Sequence, residues 1–256
     1  VSQVQPVLDK HCVECHSGAN AKQGIDLTGD KTRFFSMSYE TLTSGGYVDH
    51  YYINKGPNGV FPALQTGSWV SKLTKLLESG HGDQKVVVDD ESRRCIYAWI
   101  DANVPYYGTW EMSRPHTSGG RDAYARTLPG MGPVFSEQKD GHQLTEYLPW
   151  VERYNDFAAR SGGRVPKIPL GNRVRDRGII NLTRPESSPV LLDLLSQSAG
   201  GRADDKTAWF HDRNDPRYRE LLAILKEAKT GLDALPRIDM PDGKAIPQER
   251  NFGRTF

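Results

Sequence analysis

Five residues near the start, Cys12-Val13-Glu14-Cys15-His16, constrain this chain more than any other stretch. They spell Cys-x-x-Cys-His, the attachment sequence of a c-type haem. Two thiols three residues apart on one turn of chain can each add to a vinyl group of the porphyrin, and the imidazole that follows then lies beneath the iron. Three other readings compete: a redox dithiol, half of a zinc site, or an accidental match. A redox dithiol belongs near a βαβ pattern, which the periodicity does not show, and a four-ligand zinc site needs a second Cys/His pair at short range. The adjacent His is the member those readings do not require. The motif therefore reads as one haem c, covalently attached through Cys12 and Cys15, with His16 as the first axial ligand.

Lys and Arg number 33 against 32 Asp and Glu in 256 residues, a net charge of +1, so no global field argues for nucleic acid or a membrane surface. No apolar run approaches the roughly 20 residues of a spanning helix. The chain starts on Val and meets the haem motif almost at once, as expected of a processed protein or a fragment of a longer chain. Thioether attachment is carried out outside the cytoplasm, so a periplasmic or otherwise extracytoplasmic compartment is expected. The expected partners are a redox partner protein or other domains of the parent chain. With two cysteines on the haem, Cys95 has no partner and is expected as a buried thiol acting as a small hydrophobe.

Val4-Gln5-Pro6-Val7-Leu8 opens a helix that delivers the cysteines, with Pro6 in its first turn and Val4, Val7 and Leu8 on one face. Ser17 to Gly29 is rich in turn formers and reads as a loop around the haem edge, with Ile25 and Leu27 inward. Segment 33–66, aromatic but broken by Gly and Pro, reads as irregular cover for one haem face. Val70, Leu73, Leu76 and Leu77 follow a helical stripe near 70–79, which Ser79-Gly80-His81-Gly82 ends. After the extended Val86-Val87-Val88, an acidic start opens a helix near 90–102 that carries Ile96, Trp99 and Ile100 inward. Residues 109–167 read as a linker with a helix around 148–159. Residues 178–235 echo the earlier pattern as a weak internal repeat, with helices near 187–198 and 216–230, and an extended arm follows from 237. The fold class expected is mainly α: a cytochrome c-like haem module over 1–108, then a linker and a second, haem-less cytochrome-like helical unit over 109–256, with long irregular connections.

The second axial ligand decides what such a haem can do. Candidates are His11, His50, His81, His116, His142, His211, Met37, Met112, Met131 and Met240. In small cytochromes c the ligand comes from the loop between the two later helices. His81 holds that place here, and its flanking glycines let the backbone approach the porphyrin closely. His81 is the first choice; an open iron position and the remaining candidates stand as alternatives.

The order of motifs resembles the haem-bearing C-terminal region of the hydrazine synthase alpha subunit and its planctomycete relatives. The matching stretches are the run from Val4 to Cys12, Trp99-Ile100-Asp101-Ala102-Asn103-Val104-Pro105-Tyr106-Tyr107-Gly108-Thr109, Asn181-Leu182-Thr183-Arg184-Pro185-Glu186, and Asp239-Met240-Pro241. The resemblance implies the fold and the compartment. Two departures limit it. Members of the group commonly carry a second Cys-x-x-Cys-His before the Asn-Leu-Thr-like stretch, whereas this chain has no cysteine after Cys95, so His211 is either the left-over ligand of a lost site or a surface residue. The enzyme's catalytic haem is ligated by a Tyr four residues past the motif histidine, and that position here is Asn20, which cannot supply a phenolate.

Three functions follow. The first is an electron-transfer module with a six-coordinate haem ligated by His16 and His81. The second is a haem enzyme acting on a small nitrogen or oxygen compound, which needs an open or displaceable iron position. The third is a partner-binding module in which the haem is structural.

Overall fold

The computed structural model describes residues 3–33, 35–50, 64–81, 86–106, 135–137, 144–146, 149–168, 178–234, 236 and 239–241. It is mainly helical, as the periodicity expects, and divides into two compact units, Val1–Tyr106 with Arg175–Ala223, and Tyr107–Val174 with Ile224–Phe256.

In the first unit, helix α1 (Val4–His11) buries Val4 and Leu8 and packs on helix α4 (Asp90–Asp101), which buries Ile96 and Ile100. Burying such side chains contributes about 1.5–3 kcal/mol each. Their junction is also polar. Asp89 caps α4 by accepting from the Ser92 backbone N–H at 2.8 Å, and the same carboxylate accepts from Lys10 Nζ at 2.9 Å. Helix α4 stops abruptly because Asn103 and Val104 both take positive φ, +67° and +45°. A β-branched residue there is strained by roughly 1–3 kcal/mol. Val104 is held by its N–H to the Trp99 carbonyl and by the Tyr39 hydroxyl, which donates to its own carbonyl at 2.9 Å.

Tyr39 belongs to helix α2 (Met37–Ser44), which corrects the expectation that 33–66 is irregular. Ser36 caps α2, accepting from the Tyr39 N–H, and six of its eight residues are buried, so no polar face advertises the helix in the sequence. Residues 51–63 lie outside the described residues. Helix α3 (Lys72–Ser79) starts later than the stripe from Val70 suggests and fully buries only Leu73; Leu76 and Leu77 are half-buried. Between α3 and α4 the extended run alternates as a strand would, Val87 exposed and Val88 buried. Cys95 corrects another expectation: it sits on the flank of α4, half-buried, with Sγ 3.5 Å from the Gln3 carbonyl.

The stretch 178–223, assigned from sequence to the C-terminal module, clusters with the stretch that holds Cys-x-x-Cys-His. The contacts responsible are polar and specific. Leu182 N–H donates to the Lys31 carbonyl, Lys31 N–H donates to Thr183 Oγ1, each at 2.7 Å, and Asp30 accepts from both Asn181 Nδ2 and Arg184 Nε. No helix runs over 187–198. A 3₁₀ turn (Pro185–Ser187), the single α-turn α6 (Pro189–Leu192) and a second 3₁₀ turn (Gln197–Ala199) stand in its place. The reason is competition for carbonyls. The Leu192 carbonyl accepts from Arg202 N–H, and that of Leu194 from Trp209 and Phe210 N–H, so Ser196 and Ser198 lose their helical acceptors and donate to the Phe210 carbonyl and to Asp205 instead. Leu191, Leu195 and Phe210, fully buried, repay the loss.

The second unit contains helix α5 (Pro149–Arg160), a short antiparallel pair, β1 (Phe135–Glu137) with β2 (Leu144–Glu146), and the latter part of helix α7 (Pro216–Ala234). Helix α5 buries Trp150, Val151, Tyr154 and Phe157, and Asn155 exchanges two 2.8 Å bonds with the backbone of Ile168. The β pair is an element that the weak periodicity of 109–167 does not disclose. Most of the arm expected from 237 lies outside the described residues.

Candidate metal centre

Helix α1 runs straight into the Cys-x-x-Cys-His motif. The last α1 carbonyls are used up at once: Cys12 and Val13 N–H both donate to the Leu8 carbonyl. Cys15 and His16 N–H then donate to the Cys12 carbonyl, so the two thiols and the imidazole share one tight turn. Cys12 and Cys15 are free and half-buried. Burial pushes the Cys12 thiol up to about 11, so it is a thiol rather than a thiolate at neutral pH.

His16 is buried and fixed from behind. Its backbone carbonyl accepts from Leu27 N–H at 2.9 Å, and its Nδ1 lies 3.2 Å from the Ile25 carbonyl. A carbonyl can only accept, so Nδ1 carries the proton and Nε2 presents a bare lone pair. Burial, the largest cause, together with the neighbouring His81 and Lys22, holds the His16 pKa below the ordinary imidazole value and so favours this neutral form. A ring whose far nitrogen donates to a carbonyl is the usual state of a metal-ligating histidine.

His81 faces that lone pair. Its Nε2 lies 3.4 Å from His16 Nε2, with ring centroids 5.6 Å apart and planes 24° from parallel. The two residues are 65 positions apart in the chain. Without a metal this is a hydrogen bond from the His81 N–H to His16. Two neutral imidazoles that meet through their Nε2 atoms in this way would be placed to hold one metal ion between them. Gly80 delivers His81: it takes φ +83° and ψ +154°, a conformation essentially reserved for glycine, and turns the chain sharply at the end of α3. Two ties flank the loop. Tyr97 on α4 donates its hydroxyl to Glu78 on α3, and Asp89 holds the far end to Lys10 and to His11, whose Nε2 is 3.2 Å away.

The other proposed ligands are not brought to His16. His11 is engaged by Asp89, His50 is buried with Nδ1 at the Val48 carbonyl, His211 is exposed, and Met37 is buried as the first residue of α2. Met240 is half-buried in the second unit; His116, His142, Met112 and Met131 lie outside the described residues. Asn20 is exposed on the 3₁₀ turn Gly18–Asn20. Sequence reasoning missed the Ile25 carbonyl, for which no side-chain signal exists, and Arg202, whose guanidinium donates to the Gly18 carbonyl at 2.6 Å from 184 positions away. No family model, curated protein or solved structure matches the chain.

Proposed function

We propose that the chain is a c-type cytochrome module that carries one haem c and transfers electrons, with His16 and His81 as the axial ligands. The observation that carries this reading is the opposition of the two Nε2 atoms from residues 65 apart, beside a Cys-x-x-Cys turn. Among the described residues no group of three or more His, Cys, Asp or Glu could hold a metal ion, so two imidazoles alone leave an ion under-coordinated. A bound haem would supply the missing donors and, through its iron, the one-electron couple. Cys12 and Cys15 would tether it as thioethers and His16 and His81 would hold its iron, while the Ile25 carbonyl fixes the His16 proton at Nδ1.

Two imidazoles, with no thioether sulfur, set a lower potential than a His/Met pair. Keeping both ligands in both oxidation states limits rearrangement, which suits outer-sphere transfer to a redox partner protein or to other domains of a parent chain. Attachment chemistry makes the compartment periplasmic or otherwise extracytoplasmic. The likeness to the hydrazine synthase alpha region belongs to this reading as fold and compartment only, because Asn20 offers an amide where a phenolate is needed. Residues 109–256, which contain no Cys-x-x-Cys-His, are read as a linker and a haem-less cytochrome-like unit that echoes the earlier pattern over 178–235.

Spectra of the reduced protein with and without carbon monoxide test the assignment. A low-spin haem that binds carbon monoxide slowly, and that becomes high-spin in His81→Ala, is the expected result. Rapid binding by the wild-type protein, or an unchanged low-spin spectrum in His81→Ala, overturns it.

A further inference from the structure

We infer that Arg202, from the stretch 178–223, is a positioning residue for His16 that acts through the loop behind it; the inference rests on the haem reading above. Two residues beyond His16, Gly18 is gripped on both sides. Its carbonyl accepts from Arg202 Nη2 at 2.6 Å, and its N–H donates to Asp26 Oδ2 at 3.3 Å. Asp26 is almost fully buried, and its other oxygen accepts from Thr28 N–H at 2.9 Å. The residue before it is Ile25, whose carbonyl holds His16 Nδ1, and the residue after it is Leu27, whose N–H donates to the His16 carbonyl. Arg202, Gly18, Asp26, Ile25 and His16 are therefore consecutive links of one network.

Arg202 is built for this place rather than loosely near it. Its side chain is 14% exposed, its Nη1 donates to Asp193 at 2.9 Å, and its Nε is buried without a hydrogen-bond partner. A buried donor left unsatisfied costs about 1–3 kcal/mol, so the guanidinium is kept there by its two other contacts. A Cβ at Gly24 would stand 3.5 Å from Nη1, so the loop wraps the guanidinium closely. Second-sphere groups of this kind set the orientation of a ligating imidazole. The orientation at stake is measurable: the His16 and His81 planes lie 24° apart, and near-parallel imidazoles give a low-spin ferric centre a rhombic electron paramagnetic resonance signal.

The test uses the full chain with its haem attached. Wild type should give a single rhombic signal. Arg202→Met should lose that single signal and give a shifted, broadened distribution of g-values, because His16 is released from one orientation. Arg202→Lys should restore the wild-type g-values, since an ammonium can still donate to the Gly18 carbonyl. Asp193→Ala, which leaves Arg202 in place but frees one of its ends, should shift the signal in the same direction and less, and it serves where Arg202→Met does not fold. Wild-type g-values in folded Arg202→Met, or in Asp193→Ala when Arg202→Met fails to fold, overturn the inference while leaving the haem reading intact. A wild-type chain without a haem adduct ends both.

Discussion

Replacing Gly80 by Ala perturbs the loop that carries His81 without touching either histidine of the proposed pair. At φ +83° and ψ +154°, a residue with a Cβ is disfavoured by about 1–3 kcal/mol. A Cβ built there meets nothing within 4 Å, so the cost is conformational and none of it is a clash. Alanine also restricts the undocked loop, which offsets roughly 0.4–1 kcal/mol. Near the middle of both ranges about 1–2 kcal/mol is left against docking. Gly80 lies just past the last residue of α3 and just before His81, so releasing His81 relieves the strain without breaking a helical hydrogen bond. A change of 1–2 kcal/mol shifts the docked-to-released ratio about 5–30-fold. On the proposed His16 and His81 ligation, stopped-flow association of carbon monoxide with the ferrous protein reads that ratio directly, because a ligand would enter only where His81 has left. The variant should therefore bind about 5–30 times faster than wild type, with little change in Tm, and His81→Ala sets the upper limit. A wild-type rate in Gly80→Ala, or a large fall in Tm with no change in rate, would refute the reasoning by placing the strain elsewhere.

Denatured-protein mass spectrometry should find one haem adduct per chain with Cys95 still open to alkylation; two adducts, or none, end the haem reading. Asp89 is held well below the usual carboxylate range by the Ser92 backbone N–H and then by Lys10, so its contribution is present at neutral pH and is lost as pH falls below that range. Urea titrations should rank Asp89→Ala below Asp89→Asn, which keeps the cap, and wild type should fall towards Asp89→Asn in strong acid; equal loss for Ala and Asn at pH 7 would rule out the cap. Burial and the bond to Glu78 push Tyr97 from 10.0 up to about 12, so the tie between α3 and α4 is intact below pH 10 and weakens towards pH 12. Alkaline loss of helical circular dichroism in that window should be smaller in Tyr97→Phe, and an unchanged profile counts against the tie. Leu191→Ala, at a fully buried position, should cost about 2–5 kcal/mol by denaturant unfolding. A loss below 1 kcal/mol would mean that the stretch 178–223 is not part of the first unit's core.

The helices that the sequence discloses are those whose two faces differ. α1, α4 and α5 each set apolar residues at helical spacing against a polar side, and α4 adds an acidic start with Asp89 as its cap. α2 has no second face to contrast, since Met37, Ser38, Tyr39, Glu40, Leu42 and Thr43 are all buried, and its Thr and Ser residues argue locally against a helix. Residues 187–198 fail in the opposite way: the leucine stripe is there, but carbonyls that local pattern assigns to a helix are taken by Arg202, Trp209 and Phe210. The centre divides along the same line. His81 is legible because side-chain chemistry and glycine freedom mark it where it stands. The Ile25 carbonyl is not, because every residue has one, and the Arg202 contact spans 184 positions. Pattern thus discloses the groups able to bind a metal, whereas the groups that aim them are backbone atoms chosen by tertiary contact. On this view a cysteine and histidine motif grafted onto another helix would attach haem yet leave its histidine unaimed, unless a loop carbonyl and an anchor such as Arg202 came with it.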